Sequence, residues 1–416
     1  MANTFKFGNG NWAVKDGYAL AYNDENNNFK PLPFDFTRAS SATRVNKQGL
    51  IETVPSGKPR IDFLGNTSGH LLLEPSRTNL AQRSEEFDNS YWNKTRSTIT
   101  ANQIVSPDGS VTADLLTATD TSENYCQQNV SATVSGSKQT SSFFVKKGTS
   151  DFCHILLWDA SNDGARQWFD LTNGSVGTST NFGSGVTVDS AQMINYGNGW
   201  YRCIVVFNNS NTTVRTRISA SNSNGSTSST SGKTIYIWGA QLEAGSYPTS
   251  YIPTEGSSVT RVAEVANDAG NSTVFNHSEG VLFIECSLFT NSGSNDYFSI
   301  GDTTGTRDSV ELHFRTESSR IRGIIYSNNS VTVNISTYAF NKTNNNKIAF
   351  KYKDNDFAIW VNGTEAATSS SGAAPLKLSN LRFEDANGGT DWYGKCKAVK
   401  VYNTALTDTE LQNLTS

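Results

Sequence analysis

Short apolar-patterned segments recur along most of this chain, and turn signals separate each one from the next. The segment "VRTRISAS" alternates apolar and polar residues, whereas "FCHILLW" is an almost continuous apolar run. Successive side chains of a strand point to opposite faces, so both patterns predict strands with a buried side. Turn signals about 8–12 residues apart, with no convincing long helix, are typical of antiparallel sandwiches. The sequence therefore predicts an all-β protein with two antiparallel β-sandwich modules.

The same pattern divides the chain into three parts. Residues 1–80 consist of short pieces bounded by Gly or Pro, and we expect an irregular N-terminal lead segment there. Residues 81–262 supply one predicted strand after another and are expected to form the first sandwich. Residues 263–416 show the same succession of predicted strands and turns and are expected to form the second sandwich.

The C-terminal part also carries clear turn and helix signals. Tight turns are predicted at residues 354–356 and at Asn362-Gly363, each between alternating segments. Thr407 stands three residues before Glu410, which is the spacing of a capping box, and leucines follow at helical spacing. One short C-terminal helix packed on a sheet is therefore expected.

The stretch "GSYPTSYIP" interrupts this regular pattern after a predicted strand at 235–242. Each proline removes a backbone donor, so neither a helix nor a sheet interior accommodates this stretch well. We expect a stiff connector that lies across the first sandwich and whose prolines limit its freedom. The side chains predicted to pack down are Tyr247, Tyr251 and Ile252.

Composition and charge argue against several classes of partner. Charged residues are 17% of the chain and the net charge is −4, with no basic stripe that could follow a phosphate backbone. No apolar run reaches the 18 or so residues of a membrane span, and the N-terminal residues lack a signal-peptide core. We therefore expect no nucleic-acid binding and no membrane insertion.

The five cysteines are isolated from one another, odd in number and set in strand-like contexts. This arrangement favours buried free thiols over disulfides or a metal site. The four histidines are scattered, and no nucleophile-elbow, zinc-protease or Cys-x-x-Cys motif occurs. Glu285 and Glu311 are the best strand carboxylates for glycoside cleavage, but a solvent-facing strand position explains each more simply. We expect no catalytic residues and no enzyme.

Two loops have oxygen donors at spacings that suit calcium. Asp159, Ser161, Asp163 and Asp170 occupy the first, third, fifth and twelfth places of a calcium-loop pattern. The flanks are strand-like, so an ordinary hairpin turn with Gly164 at positive φ is the favoured interpretation. The segment 385–391 is a similar candidate. The overall expectation is no cofactor and no metal, with calcium as the open alternative.

Sugar binding needs aromatic faces with neighbouring amide or carboxyl groups for the hydroxyls. Trp158 and Trp168 flank the predicted hairpin loop, so the hairpin would bring their rings close together. Asp159, Asn162 and Asp163 would then lie at the edge of this aromatic platform. These five residues are the predicted carbohydrate-binding site.

The alternative is that one or both rings fill the sandwich core. Trp168 precedes Phe169, so one of these two must face away from the core. Trp200 and Trp238 are interpreted as framework residues. The weaker candidates in the second module are Tyr297 and Trp392.

Two family resemblances rest on motifs that occur in order along the chain. The first covers residues 70–265 and consists of "LLLEPSRTNL", "NGWYRCIVVF", "YIWGAQLEAGSYPTSYIPT" and "VTRVAE". It resembles a module of phage virion fibre and tail proteins, which is similar to jelly-roll carbohydrate-binding domains. The second covers about residues 275–416 and consists of "FAIWVNGTEA" and "WYGKCKAVKVYNTALTDTEL". It resembles the closing strands of concanavalin A-like (laminin G-like) sandwiches. The lead piece "FDFTRASSATRVNKQGLIE" also looks like the opening of these phage proteins.

The resemblance implies a non-catalytic phage virion surface protein, a tail or head fibre or decoration, which adheres to host surface glycans. It implies attachment to other virion proteins through the N-terminal segment, a homo-oligomer that fibre analogy makes a trimer, and assembly in the host cytoplasm. A purely structural virion part and a polysaccharide depolymerase remain as alternatives. A secreted lectin is a further alternative, but the expected export signal is missing from the N-terminus.

Overall fold

The computed structural model describes residues 4–8, 12–15, 17–20, 22–23, 28–29, 33–130, 136–290, 296–315 and 319–416. The fold is almost entirely β, with 53% of residues in strands and 2% in helix. The sheets are antiparallel and the one helix of the described residues closes the chain. The predicted all-β class is therefore confirmed. Among the described residues no helix is both long and apolar enough to cross a membrane.

The chain forms two compact units that do not follow the order of the sequence. Unit 1 contains residues 1–41, 54–75 and 262–416, and unit 2 contains residues 42–53 and 76–261. The predicted division at 80 and 262 therefore differs from the structure in its first part. The lead segment is not a separate body, because its residues are shared between the two units.

Unit 1 is built on two large antiparallel sheets. The eight-stranded sheet contains, in order, Thr364–Ser369, Phe357–Val361, Asn346–Lys353, Glu279–Leu288, Gly394–Tyr402, His70–Leu73 and Arg60–Asp62, with Thr4–Gly8 paired beside Gly394–Tyr402. The five-stranded sheet contains Ser330–Ser336, Ile321–Ser327, Asp308–Phe314, Asp296–Asp302 and Asn380–Arg382. Smaller sheets join Ala13–Lys15, Tyr18–Leu20, Phe34–Thr37 and Val265–Asn267, and separately Tyr22–Asn23 and Asn28–Phe29.

The lead segment contributes directly to the core of unit 1. Phe34 and Phe36 belong to the same buried cluster as residues of both large sheets. The ring centroid of Phe34 lies 5.0 Å from that of Phe383. Trp392, a weak sugar-binding candidate from the sequence, is fully buried in this cluster and so has no face for a ligand.

Four fully or almost fully buried charged residues form a network in unit 1, here called the arginine–glutamate cluster: Arg38, Arg60, Glu74 and Glu264. Glu264 Oε1 accepts hydrogen bonds from Arg38 Nη1 at 2.7 Å and from Arg60 Nε at 2.8 Å. Arg60 Nη2 donates to Glu74 Oε2 at 2.8 Å and also to Glu264 Oε2. The carboxylates raise the pKa of Arg60 against the opposing effect of its burial. The cluster therefore joins three separate stretches of sequence that all belong to unit 1.

The predicted local signals of the C-terminal part appear in the structure. Asn362 and Gly363 have φ of 50° and 81°, so both central turn positions are left-handed, as a two-residue hairpin of the primed type requires. The helix spans Asp408–Thr415. Thr407 and Glu410 form the predicted capping box, each side chain accepting from the other's backbone N–H. These predictions are confirmed.

Unit 2 is a sandwich of two six-stranded antiparallel sheets. The first, here called the site sheet, contains Asn93–Thr95, Tyr125–Val130, Val214–Ser221, Phe152–Asp159, Gly164–Asp170 and Ser175–Phe182 in that order. The second contains Ser97–Ile104, Ala113–Ala118, Thr234–Ala244, Ser137–Lys147, Trp200–Asn209 and Val186–Asn195. Two short pairs complete the unit, Arg77–Asn79 with Val259–Arg261 and Ala42–Val45 with Ile51–Val54.

The Pro/Tyr stretch packs against the second sheet of unit 2, as the sequence predicted. Tyr251 and Ile252 are 3% and 4% exposed, while Tyr247 is half-buried. The ring of Tyr251 lies 4.7 Å from Trp238 and 5.8 Å from Phe144, measured between centroids. This contact explains why the chain leaves its strand for a stiff extended path: the stretch covers aromatic side chains on that sheet's outer side.

Buried polar contacts fix the same stretch in place. Glu243 accepts from Thr249 twice, at 3.0 Å from the backbone nitrogen and 2.7 Å from the hydroxyl. Arg202 Nη1 donates to the backbone oxygen of Thr249 at 2.7 Å. Trp200 and Trp238 are 2% and 1% exposed, in line with framework roles. All five cysteines are buried free thiols, which confirms that prediction.

Candidate functional site

The predicted hairpin between Trp158 and Trp168 exists, but its acidic residues hold the turn itself. Asp159 is fully buried, and its Oδ1 accepts the backbone N–H groups of Ser161 and Asp163 at 2.8 and 2.9 Å. Its Oδ2 accepts from Asn211 Nδ2 at 2.7 Å. The Asp159 carboxylate therefore has its lone pairs directed at protein donors and not at solvent.

The next two predicted residues are also part of the turn. Asn162 has φ of 67° and takes the left-handed position, which the sequence had assigned to Gly164. Asn tolerates this region because its short side chain costs little there. Asp163 Oδ2 accepts from the backbone nitrogens of Ser184 and Gly185 at 3.0 and 2.6 Å. Asp163 thus ties the hairpin to the following strand connection.

The two tryptophans share one side of the site sheet but differ in exposure. Trp158 pairs across the strands with Gly164, and Trp168 pairs with His154. Trp168 is 1% exposed, and its Nε1 donates to the backbone oxygen of Ser226 at 2.7 Å. Trp158 is half-buried. Both rings therefore lie on one side of the sheet, but they are not close together as the sequence suggested, because His154, the strand partner of Trp168, is four residues or about 13 Å along the strand from Trp158. The chain around Ser226 covers only Trp168.

The side of the site sheet that carries Trp158, here called the outer face, points away from the core of unit 2. Cys153, Ile155 and Leu157 belong to the core cluster, so the alternate residues of that strand face outward. Cross-strand pairing places side chains in rows over this face. One row contains Asn129, Arg215, Trp158, Gly164 and Phe182. The next row contains Asn93, Gln127, Arg217, Leu156 and Arg166.

Arginines and aromatic rings alternate in space on the outer face. The guanidinium carbon of Arg217 lies 4.5 Å from the ring centroid of Trp158 and 3.9 Å from that of Tyr125. The guanidinium carbon of Arg215 lies 5.1 Å from the ring centroid of Trp158. Cations at these distances are attracted by the ring quadrupole. We call Tyr125, Arg217, Trp158 and Arg215 the arginine–aromatic ladder.

A glycine makes room for the far end of the same row. A Cβ on Gly164 would lie 2.4 Å from Cζ of Phe182, which no real contact permits. Phe182 therefore lies over Gly164, where its ring meets Trp158 edge-on with centroids 6.4 Å apart. Arg166 lies over the ring of Phe182, with its guanidinium carbon 4.9 Å from the centroid. The absence of a side chain at 164 thus extends the aromatic surface by one ring.

Glu123 is the acidic group of this face. Its Oε1 lies 3.0 Å from Arg166 Nη2 and 3.6 Å from His154 Nε2. Burial acts to raise the pKa of Glu123, but His154 and Arg166 outweigh it and lower the pKa to about 2. Burial lowers the pKa of His154 despite the nearby carboxylate. At neutral pH this corner therefore contains one carboxylate, one guanidinium and a neutral imidazole.

A groove of about 210 Å³ lies beside the ladder. Its lining residues are Tyr91, Asn93, Gln127 and Asn129. Tyr91 is 44% exposed, and Gln127 accepts from Arg217 Nε at 2.5 Å. The groove therefore supplies amide groups and one exposed aromatic ring directly next to the arginines. Such a combination can bind hydroxyl-rich and anionic ligands.

The sequence interpretation missed the arginines of the ladder. The signal was present in "VRTRISAS", where Arg215 and Arg217 alternate with Val214, Thr216 and Ile218. Once the apolar members are assigned to the core, both arginines must share the outer face. Their proximity to Trp158 depends on strand order, which the local pattern does not contain.

The calcium patterns are only partly assembled in space. Asp170 ends the strand Gly164–Asp170, about 20 Å of extended chain from the Asp159 turn, and accepts from Thr172 and Asn173 instead. In the second loop, Asp385 accepts from the backbone of Asn387. Within the described parts of the chain, no group of three or more His, Cys, Asp or Glu side chains could hold a metal ion.

The candidates of the second module lie on unit 1. Tyr297 stacks on His313 with ring centroids 4.0 Å apart and planes 10° apart. Glu311 is fully buried, and its Oε1 accepts from Arg307 and Ser309 at 2.6 Å each. Glu285, the other strand carboxylate, pairs with Lys397 at 2.8 Å. Both carboxylates are therefore engaged with cations or donors, and neither is at the solvent-facing position that the sequence suggested, because Glu285 and Glu311 are 5% and 0% exposed.

Comparison with known proteins identifies the fold of part of unit 1. Residues 287–412 match the family model Laminin_G_3, described as the concanavalin A-like lectin/glucanases superfamily. No curated protein sequence matches the chain. The predicted concanavalin A-like, laminin G-like character of the C-terminal part is therefore confirmed at the level of fold.

Several solved structures are similar to part of this chain. The sialidase carbohydrate-binding module CBM40 of Ruminococcus gnavus, bound to α2,3-sialyllactose, is 18% identical and covers 36% of this chain and 94% of its own, with a TM-score of 0.30. The SAP-like pentraxin of Limulus polyphemus is 12% identical, covers 36% and 74%, and has a TM-score of 0.28. Domains LG4-5 of mouse laminin α1 are 9% identical, cover 70% and 92%, and have a TM-score of 0.23. At these scores the structures support no inference about a ligand of this chain.

Proposed function

We propose that this protein is a non-catalytic glycan-binding protein and that the outer face of unit 2 is its binding surface. The observation that carries the proposal is the arginine–aromatic ladder around the half-buried Trp158, beside an amide-lined groove. Saccharides are bound by aromatic surfaces together with planar polar groups that reach the hydroxyls. The outer face supplies both kinds of group without a deep cleft.

The way in which the face is built suits binding better than cleavage. The carboxylates of Asp159 and Asp163 accept hydrogen bonds from backbone N–H groups, and Glu123 is paired with Arg166. A general acid for glycoside cleavage needs a raised pKa, whereas the pKa of Glu123 is lowered to about 2. Incubation of the protein with bacterial surface polysaccharide should therefore release no new reducing or unsaturated ends. The appearance of such ends would contradict the non-catalytic role.

The biological setting of the proposal is the surface of a phage particle, where the protein would adhere to host glycans. This part rests on the motif resemblance of residues 70–265 and on the neutral polar composition. Several copies on one particle would turn weak individual contacts into firm attachment, because linked sites raise the effective concentration. A homo-oligomer held to other virion proteins through the N-terminal segment is part of this proposal.

A glycan array tests the function directly. The wild-type chain should bind a defined set of bacterial surface polysaccharides, and Trp158→Ala should reduce that binding by about tenfold or more, because both arginines lose the ring that supports them. Tyr338→Ala is the matched control, since Tyr338 is 43% exposed and lies in unit 1. Absence of wild-type binding to every glycan would overturn the proposal and favour a purely structural role.

A further inference from the structure

We propose that the ligand of the outer face is an acidic saccharide and that Arg215 and Arg217 together bind its carboxylate. This inference rests on the proposed glycan-binding function and specifies its ligand class. It follows from the balance of charge, from hydrogen-bond donors that lack an acceptor and from the rigid support of the two guanidinium groups.

The charge balance of the ladder is positive. Arg166 is paired with Glu123, as described above. Over the described part of the chain, by contrast, no carboxylate lies within 4.0 Å of Arg215 or Arg217. The neutral His154 adds no charge, since burial lowers its pKa. Two adjacent guanidinium groups therefore lie beside the groove with no carboxylate in direct contact, and Glu123, which is paired with Arg166, acts on Arg217 only from a greater distance.

Several hydrogen-bond donors on this face also have no acceptor among the described residues. Trp158 Nε1 and Arg166 Nε are buried donors that meet no acceptor among the residues described. Arg217 uses only its Nε, which donates to Gln127. Arginine has five N–H donors and no acceptor, so the remaining N–H groups of Arg217 need an acceptor from water or from a ligand. A carboxylate is the acceptor that fits a guanidinium best, because two parallel hydrogen bonds can form.

The position of Arg217 is fixed before any ligand arrives. Its side chain is 4% exposed and lies between the rings of Tyr125 and Trp158, with Gln127 at its Nε. A guanidinium that is already held loses little conformational entropy when it binds. Arg215 stands two residues away on the same strand and so about 6.6 Å along the same face. A sugar carboxylate between the two would leave its ring beside the groove.

A phosphate polymer is the competing anionic ligand, and the structure favours it less. Tracking of a phosphate backbone needs a row of cations, whereas the described residues of this face provide two that lack a carboxylate within 4.0 Å, Arg215 and Arg217, in a chain of net charge −4. A single carboxylate per sugar matches a pair of guanidinium groups. We therefore assign the site to a uronate-type saccharide, and nucleic-acid binding becomes an outcome of the test.

The experiment is titration calorimetry of the full chain with three probes. These are an oligogalacturonate, the same oligomer fully methyl-esterified, and a single-stranded DNA of similar length. The ester keeps the sugar ring and removes only the charge, so it isolates the carboxylate. We expect the acid to bind about tenfold or more tightly than the ester, with affinity that falls as salt is added.

Two variants and one control localise the effect. Arg215→Ala, at a half-buried position, and Arg217→Gln should each weaken binding of the acid by about tenfold and binding of the ester by about twofold at most, because the ester keeps only neutral contacts with the ladder. Arg322→Ala, a half-buried arginine of unit 1, is the matched control and should change neither. Since Arg217→Gln can also disturb the fold, Arg215→Ala decides the case if the two differ.

Each remaining outcome is decisive. Equal binding of acid and ester, unchanged in Arg215→Ala, would overturn the acidic-saccharide assignment and leave the glycan-binding function standing. Tighter binding of the DNA than of the acid would overturn it in favour of a phosphate ligand. Failure of the wild type to bind any saccharide on the array would instead remove the proposed function itself.

Discussion

Arg217 lies over the ring of Trp158, with its guanidinium carbon 4.5 Å from the ring centroid. The two residues come from neighbouring strands of the site sheet, so the contact depends on strand pairing and not on a loop. A site built on strands is positioned more precisely than one built on loops. The contact also means that Trp158 supports a cation instead of offering a bare ring, so its shape and its π-system both matter.

Replacing Trp158 conservatively should separate these two contributions. Trp158→Phe keeps an aromatic face under Arg217 and should retain glycan binding within about threefold, whereas Trp158→Leu removes the cation–π attraction and should lose about tenfold. Affinity is measured by titration with the strongest glycan from the array, and thermal unfolding checks that both variants fold alike. Equal loss in the two variants would show that ring chemistry is not what the site uses.

Gly164→Ala should disturb the site without touching a polar group. The added Cβ would overlap the ring of Phe182, which must move away from Trp158. We expect a changed near-ultraviolet circular dichroism signal and binding that is weaker by a few-fold. Gly389→Ala is the control, because a Cβ there meets nothing within 4 Å. An unchanged spectrum in Gly164→Ala would contradict the described packing of Phe182.

Asp114 should make the stability of unit 2 depend on pH. Burial raises its pKa to about 6, although the backbone N–H groups of Asn102 and Phe87 act in the opposite direction. Between about pH 4 and 6 the folded state therefore holds a proton that the unfolded chain has released, so the free energy of unfolding falls as the pH rises. Urea titrations across this range should show the decline.

The Asp114→Asn variant provides the check on that assignment. It cannot ionise, and its amide oxygen can still accept from a backbone donor, so the decline between about pH 4 and 6 should flatten. If wild type and variant showed the same slope with pH, another group would be responsible for the dependence.

Breaking the arginine–glutamate cluster should be costly. Glu264→Gln leaves the buried Arg38 and Arg60 with too little counter-charge, and we expect a loss of about 3–5 kcal/mol in the free energy of unfolding. Glu52→Gln is the control, since its partner Arg44 is partly exposed and such pairs contribute about 1 kcal/mol or less. Urea denaturation midpoints compare the two. A similar small loss for both would show that the cluster adds no more than a surface pair.

Much of the fold could be predicted because short-range sequence patterns determine the strands, the turns and the helix. The alternation in "VRTRISAS", the Asn362-Gly363 turn and the Thr407–Glu410 box all act within a few residues. The role of the lead segment could not be predicted in the same way. The strand His70–Leu73 pairs with Gly394–Tyr402, more than three hundred residues later, and no local pattern specifies such a partner.

The site was predictable in part for the same reason. The hairpin pattern correctly places Trp158 and Trp168 on one side of a sheet, but the register separates them by about 13 Å along the strand, so they do not form the expected joint platform. It could not show that the chain at Ser226 covers Trp168, or that Asp159 would direct its oxygens to the turn. Whether these five predicted residues touch sugar stays a prediction. The arginines escaped notice because a charge within a strand is usually read as a solvated face.

The arginine–glutamate cluster affects how one segment of the chain could be replaced by another during evolution. The backbone N–H of Glu74 donates to Glu264 Oε2 at 3.0 Å, and the backbone N–H of Glu264 donates to the carbonyl oxygen of Glu74 at 3.1 Å. These two residues lie where the chain leaves unit 1 for residues 76–261 of unit 2 and where it returns. Arg38 also donates to the carbonyl oxygens of Ser40 and Pro55, which lie on either side of the shorter segment of unit 2, residues 42–53. The points where the chain leaves unit 1 for residues 76–261 and where it returns are thus held side by side, so exchange of this longer segment of unit 2 needs a replacement whose two ends lie close together. Residues 76–261 can therefore be exchanged as one piece while the buried ion pairs that hold unit 1 together stay intact.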